Sequence, residues 1–354
     1  MSHDFGGMFS PRPGLAYLDT GTYGLPPRPT LEALERAHSM WQEGTAHWIT
    51  DFDQPADQAR IAFAELIGAV PQNVALIPAA SVGVGTVAAS LAPGTEVVIP
   101  DDEFTSVTFP MLVAEQRGVA VRQVPFDHVA REVRASTTLV AVSLVQAQTG
   151  KVADVELILD RAEEVGAKVL VDGTHGLPFV RLHHLMDRID YVVCAAYKHL
   201  LCPRGVGFLV VNGNLEALPP WNANWRAADE PYGRFYGGPL TLPDTAARFD
   251  VSPAWLAWVG AVESLRLLNE WAGTGSLADS LQVAAELAIL AGVPWEGASL
   301  VCVPVGDTAA AAAALAAADI KCGVRSDSIR FSTHVYNDME DAARAAAAIA
   351  PFQR

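Results

Sequence analysis

The stretch CAAYKHLLCPRGVGFLVV, residues 194–211, sets Lys198 between an apolar run and a Pro-Arg-Gly turn, in a chain with only four lysines. An amine there is costly unless it is neutral, paired or covalently used. It is either a surface loop lysine or a Schiff-base lysine, freed by desolvation or nearby positive charge. Asp172 closes the run KVLVD and is followed by Gly-Thr-His-Gly. A carboxylate at the carboxyl end of a parallel strand faces the usual ligand crevice, although an Asx turn or helix cap uses the same residue type. In AASVGVGT, residues 79–86, a strand runs into a helix start. Free N–H groups around Ala80 and Val82, with the Ser81 hydroxyl, could hold a phosphate there. An ordinary capped helix rich in small residues reads the same way, and the pattern is neither GxGxxG nor a P-loop. Arg330 lies in the apolar run IRFST and needs an anion, internal or from a ligand. A lysine, a carboxylate for a pyridine nitrogen and a phosphate cradle together suit pyridoxal 5'-phosphate.

These residues need a scaffold that gathers strand ends. Apolar runs at VALIP, TEVVIP, VAVRQVPF, TTLVAVSLV, KVLVD, DYVVCAA and GVGFLVV alternate with helical segments such as residues 105–116 and VADVELILDRAEEVG. Such alternation predicts an α/β fold, a mostly parallel sheet covered by helices on both faces. Two amphipathic helices precede it, LEALERAHSMWQE and DQPADQARIAFAELIGA. After about residue 212 the chain becomes rich in Pro, Gly, Trp and Arg. The segment 219–250 is too long for an ordinary connector, which points to a functional or interface role. A helix over WLAWVGAVESLRLLNEW leads into a smaller α+β unit, with strands at SLVCVPV and SIRFST and helices near 278–290, 307–317 and 338–349. The expected division is a large domain over 15–250, whose N-terminal segment joins the small domain, and a linking helix with the small domain over 251–354.

Composition narrows the partners. A net charge of −16 disfavours nucleic acid and acidic membranes. No apolar stretch has the flanks of a transmembrane helix or signal peptide. Cys194, Cys202, Cys302 and Cys322 are widely spaced and form no metal or disulfide pattern, so the expected setting is the cytoplasm, with no metal.

The segments YLDTGTYGLPP, PAASVGVGT, DDEFTSVTFPM, VSLVQAQTG, VLVDGTHGLP, DYVVCAAYKHLLCPRGVGFLVV, RFDVSPAW and IRFSTHVYND run in one order over nearly the whole chain. In this the chain resembles the class V aminotransferase family of fold-type I pyridoxal phosphate enzymes, which includes cysteine desulfurases, selenocysteine lyases, kynureninase and isopenicillin N epimerase-like proteins. The Asp172-to-Lys198 segment is the most specific part. The resemblance implies that Lys198 forms the Schiff base and shuttles the α-proton, while Asp172 keeps the ring nitrogen protonated. It places His175 where many relatives have glutamine near the phenolic oxygen, and Gln146 near that oxygen too. Ser81, with Ala80 and the amide of Val82, would hold the phosphate. Phe104 stands where many relatives stack a histidine on the ring. Arg330 would clamp the substrate's α-carboxylate, and Ser252 would reach the phosphate of a partner subunit in a homodimer. The substrate implied is an amino acid, a small molecule rather than a macromolecule.

Two departures stand out. Many relatives have serine and histidine, both phosphate contacts, at the positions of Ala195 and Tyr197. Tyr197 keeps one possible hydrogen bond, and Arg234 and Tyr236 are candidates to compensate. Desulfurases carry a cysteine on a mobile loop ahead of the arginine, and DIKCGVRSDSIRF leaves little room for one around Cys322. The leading expectation is therefore a carbon–sulfur lyase acting by β-elimination on an S-substituted cysteine. Aminotransferase, racemase or epimerase, and a catalytically inactive scaffold of the same fold are the alternatives.

Overall fold

The computed structural model describes Phe5 and residues 7–354. Seven strands form its main sheet: β2 (Val74–Ile77), β3 (Glu96–Pro100), β4 (Ala120–Val124), β5 (Thr137–Ser143), β6 (Lys168–Asp172), β7 (Tyr191–Ala195) and β8 (Gly207–Val211). Their order is β2-β8-β7-β6-β5-β3-β4. Only β8 runs against its neighbours, and every other pairing is parallel. Its reversal has a positional consequence. The carboxyl ends of β2, β3, β5, β6 and β7, and also the start of β8, meet at one edge of the sheet.

The strands are apolar on both faces because both are covered, as parallel strands require. One face packs under α2 (Gln54–Ile67), α5 (Val155–Val165) and α6 (Trp255–Thr274), where Phe63 stacks on Phe208 with centroids 4.0 Å apart. The other lies under α3 (Ala80–Ala89) and α4 (Thr105–Glu115). Helix α1 (Arg28–Glu43) packs against α6.

A second core gathers β9 (Leu300–Pro304), β12 (Ser328–Ser332), α7 (Ser276–Leu290), α8 (Thr308–Ala317) and α9 (Met339–Ile349). Strand β12 pairs antiparallel with β9 and with the short β11 (Gly323–Val324). The chain's first strand, β1 (Ala16–Tyr17), pairs with β10 (Ile320–Lys321), so the N-terminal segment belongs to this C-terminal unit.

The segment 213–254 has no regular strand or α-helix. A buried polar cluster pins its ends. Arg226 pairs with Asp53 at 3.1 Å, and Asp53 also accepts from Tyr232 and Trp255. Asp250, wholly buried, accepts from Arg60 at 2.5 Å and from the Leu76 amide at 2.8 Å. Tyr236 and Leu240, between these anchors, and Trp221, ahead of them, are exposed.

Candidate active site

A cleft of about 180 Å³ opens where the strand ends meet, lined by residues that include Ser81, Phe104, Asp172, His175, Tyr197, Lys198 and Arg204. Each comes from the loop after or before a strand. Ala80 and Ser81 follow β2, Phe104 follows β3, Asp172 to His175 close β6, and Tyr197 and Lys198 follow β7. Arg204 precedes β8 and reaches the same edge because that strand is reversed.

Lys198 is buried, with Nζ 2.8 Å from His175 Nε2 and 5.2 Å from the centre of the Phe104 ring. Burial, reinforced by the charge of Arg330, pulls its amine down to about 8. Asp172 is also buried, and desolvation raises its carboxyl above the ordinary range, against the pull of its bond from the Thr174 amide at 2.9 Å. The Thr174 hydroxyl in turn accepts from the Ala195 amide, tying the ends of β6 and β7 together. Desolvation, with Lys198 next, pushes His175 well below its usual value, so its ring is neutral. The two nitrogens share one hydrogen bond, and the ring's other nitrogen, Nδ1, is buried and has no partner among the described residues.

Arg330 is almost wholly buried. It donates to the Ala147 carbonyl at 2.9 Å and to Thr22 Oγ1 at 3.4 Å, and stands 4.0 Å from Asp19. Its Nε has no partner among the described residues. Burial, and then Arg325, lower it to about 10, which leaves it charged at neutral pH. A guanidinium so placed has spare donors for an incoming carboxylate. The loop LDTGTYG makes this geometry possible. A methyl group on Gly21 would lie 2.9 Å from Arg330 Nη2, and one on Gly24 would overlap the Lys198 carbonyl oxygen.

The sequence expectations are placed as follows. Lys198, Asp172, His175, Ala80, Ser81, Phe104 and Tyr197 line one cleft. The Val82 amide is not a free donor there: it bonds the Ala79 carbonyl at 3.0 Å, leaving the helix-start amides of Ala80 and Ser81. Gln146 lies outside the lining, because its carboxamide accepts from the amides of Gln148 and Thr149 and donates to the Asp102 carbonyl. Ser252 is exposed just ahead of α6, away from the cleft of its own chain. Arg234 and Tyr236 stand out in solvent and contribute nothing to this cleft.

Several residues escaped the sequence reading. Glu103, buried, accepts from the amides of Phe104 and Ser143 and from the Ser143 hydroxyl, clamping the ends of β3 and β5. His199 and His334 stack beneath the Lys198 loop, and His334 Nε2 donates to the His199 carbonyl at 3.0 Å. A histidine directly after the lysine was the only available signal for that pair.

The residues fit pyridoxal phosphate: a buried amine near neutrality for a carbonyl, a buried carboxylate for a ring nitrogen, and an α3 start without a side-chain cap. The comparisons agree. Isopenicillin N epimerase of Streptomyces clavuligerus is 32% identical over 259 residues, which cover 68% of this chain and 63% of the epimerase. The uncharacterized aminotransferase YcbU of Bacillus subtilis is 28% identical over 302 residues, 80% of each chain. Among solved structures, the cystine C-S lyase C-DES superposes with a TM-score of 0.85 at 22% identity, over 96% of this chain and 98% of that one. The cysteine desulfurase CsdA of Escherichia coli gives 0.83 at 20%, over 98% and 97%. These two likenesses concern the fold. The family model for aminotransferase class-V matches residues 16–289, more than half of the sequence, and the chain belongs to that family.

Proposed function

We propose that this protein is a carbon–sulfur lyase that cleaves an S-substituted cysteine to pyruvate, ammonia and a thiol or sulfenate. Its cofactor is pyridoxal 5'-phosphate, which when bound draws electrons away from the substrate's α-carbon. Lys198 would hold the cofactor and, once freed, its amine would take the α-proton, a task suited to a group poised near pH 8. Asp172 would hold a proton on the ring nitrogen. Arg330 orients the substrate through its α-carboxylate. The Cβ–S bond then breaks, sulfur departs with the bonding pair, and water hydrolyses the remaining three-carbon fragment.

The observation that carries this reading is the turn before Arg330. Only Arg325, Ser326 and Asp327 separate β11 from β12. Cys322 lies between β10 and β11, and burial pushes its thiol up to about 11. Sulfur attack requires a thiolate with reach, and this thiol has neither property. The lyase reading is also supported by the neighbouring fold of a cystine C-S lyase, at the level of architecture. A homodimer belongs to the proposal, with Phe109 and Val113, both exposed on α4, and the segment 219–250 as the surfaces to cover.

The test is turnover of S-substituted cysteines with and without a keto acid, followed by mass spectrometry of the protein. Pyruvate and thiol in equal amounts, with no persulfide and with Cys322→Ala fully active, is the expected result. A persulfide on Cys322 with loss of activity in that variant would establish desulfuration instead. Amino transfer dependent on the keto acid would establish an aminotransferase, and inversion at the α-carbon an epimerase.

A further inference from the structure

We propose that Arg204 is the cation that grips the cofactor's phosphate, a role that rests on the cofactor assigned above. A phosphate ester brings close to two negative charges into a site. The α3 start offers amides and the Ser81 hydroxyl, none of which carries a full charge. Two cationic side chains line the cleft, Lys198 and Arg204. Lys198 is committed to the carbonyl end, beside His175. Arg204 is left for the phosphate end.

Its surroundings support this assignment. The guanidinium carbon sits 5.0 Å from the centre of the Tyr197 ring, so a side chain that would otherwise sweep through solvent is held against the wall of the cleft. Among the described residues no carboxylate pairs with it, although most other arginines of the chain have an acidic partner. Ala195, also in the lining, has no hydrogen-bonding side chain. Tyr197 offers one hydroxyl, and its ring face is occupied by the guanidinium. The phosphate contacts that Ala195 and Tyr197 do not make are thus supplied from the far side of the same turn. Arginine suits the task because its planar fork presents paired donors to phosphate oxygens.

The experiment titrates cofactor-free protein with pyridoxal 5'-phosphate and, separately, with pyridoxal, which lacks the phosphate. Binding is followed by absorbance and by quenching of tryptophan fluorescence. Arg204→Gln is expected to weaken pyridoxal phosphate by about tenfold to a hundredfold and to leave pyridoxal unchanged. Arg204→Lys should recover only part of the loss. Tyr197→Leu should give a smaller loss confined to the phosphorylated ligand. Inorganic phosphate should compete with pyridoxal phosphate in the wild type and less well in Arg204→Gln. Equal weakening of both ligands, or no weakening of either, overturns the assignment. Wild-type protein that fails to bind pyridoxal phosphate would overturn the cofactor reading as well, which separates the two failures.

Discussion

Lys198 Nζ and His175 Nε2 face each other at 2.8 Å inside the protein, so a buried amine leans on a buried neutral imidazole. A neutral imidazole accepts one hydrogen bond but brings no countercharge. The strongest negative charge acting on the amine is that of Asp172, and burial together with Arg330 outweighs it. The protonated amine is therefore held at a cost, which makes it a ready base and a destabilising charge in the cofactor-free protein.

This predicts an unusual dependence on pH. The Lys198 amine titrates near 8 when folded and near 10.5 when unfolded. Between those values the unfolded chain binds more protons, so the folded state gains stability as pH rises. Below pH 8 the full penalty applies, about 3 kcal/mol. In urea titrations of the cofactor-free protein, Lys198→Met should be more stable than wild type at pH 7, and the advantage should shrink by pH 10. A variant less stable than wild type at pH 7 would show that the amine is well compensated.

Asp172→Asn removes the carboxylate and keeps the shape. Its amide can still accept from Thr174, so the strand-end contact survives. Cofactor should still bind, and turnover should fall by about 10² to 10³-fold, as when a preorganised electrostatic partner is lost. Near-normal turnover with a saturating substrate would remove Asp172 from the chemistry.

Arg330→Lys tests the substrate clamp. Lysine cannot reproduce a two-point contact with a carboxylate, and truncating a buried charged pair costs about 2 to 5 kcal/mol. The expected signature is a raised KM for every amino acid tried. A defect restricted to one side chain would place Arg330 in a specificity pocket.

Asp250→Asn should destabilise the fold by about 3 to 5 kcal/mol, because it removes the wholly buried charge partner of Arg60 and leaves only the half-exposed Asp57. Chemical denaturation gives the loss directly. Limited proteolysis should show new cleavage within 219–250, since that segment is anchored through the same cluster. A stability change near zero would show that Asp57 alone suffices for Arg60.

What the sequence made legible were the features that lie along one strand and its following loop. Asp172 ends a β-run, Lys198 follows another, and Ser81 opens a helix, so periodicity and turn residues located all three. Arg204 was illegible for a topological reason: only the reversal of β8 brings the residue before a strand to the edge where the others end. Glu103 was hidden because its carboxylate is spent on neighbouring backbone, which no spacing reveals. The Val82 amide and the Gln146 carboxamide were misplaced for the converse reason. Both are the right groups near the right strand ends, and both are consumed by local turns.

The glycine loop at residues 19–24 has a mechanical meaning. Its first residue bridges to Ser332 in the C-terminal unit, Gly21 donates to the Ser332 hydroxyl at 2.6 Å, and Gly24 donates to the Tyr197 carbonyl at 2.9 Å beside the reactive lysine. This loop thus touches both the strand that bears Arg330 and the turn that bears Lys198. One short segment therefore helps to hold the positions of both Arg330 and Lys198, so a substitution within it should disturb both.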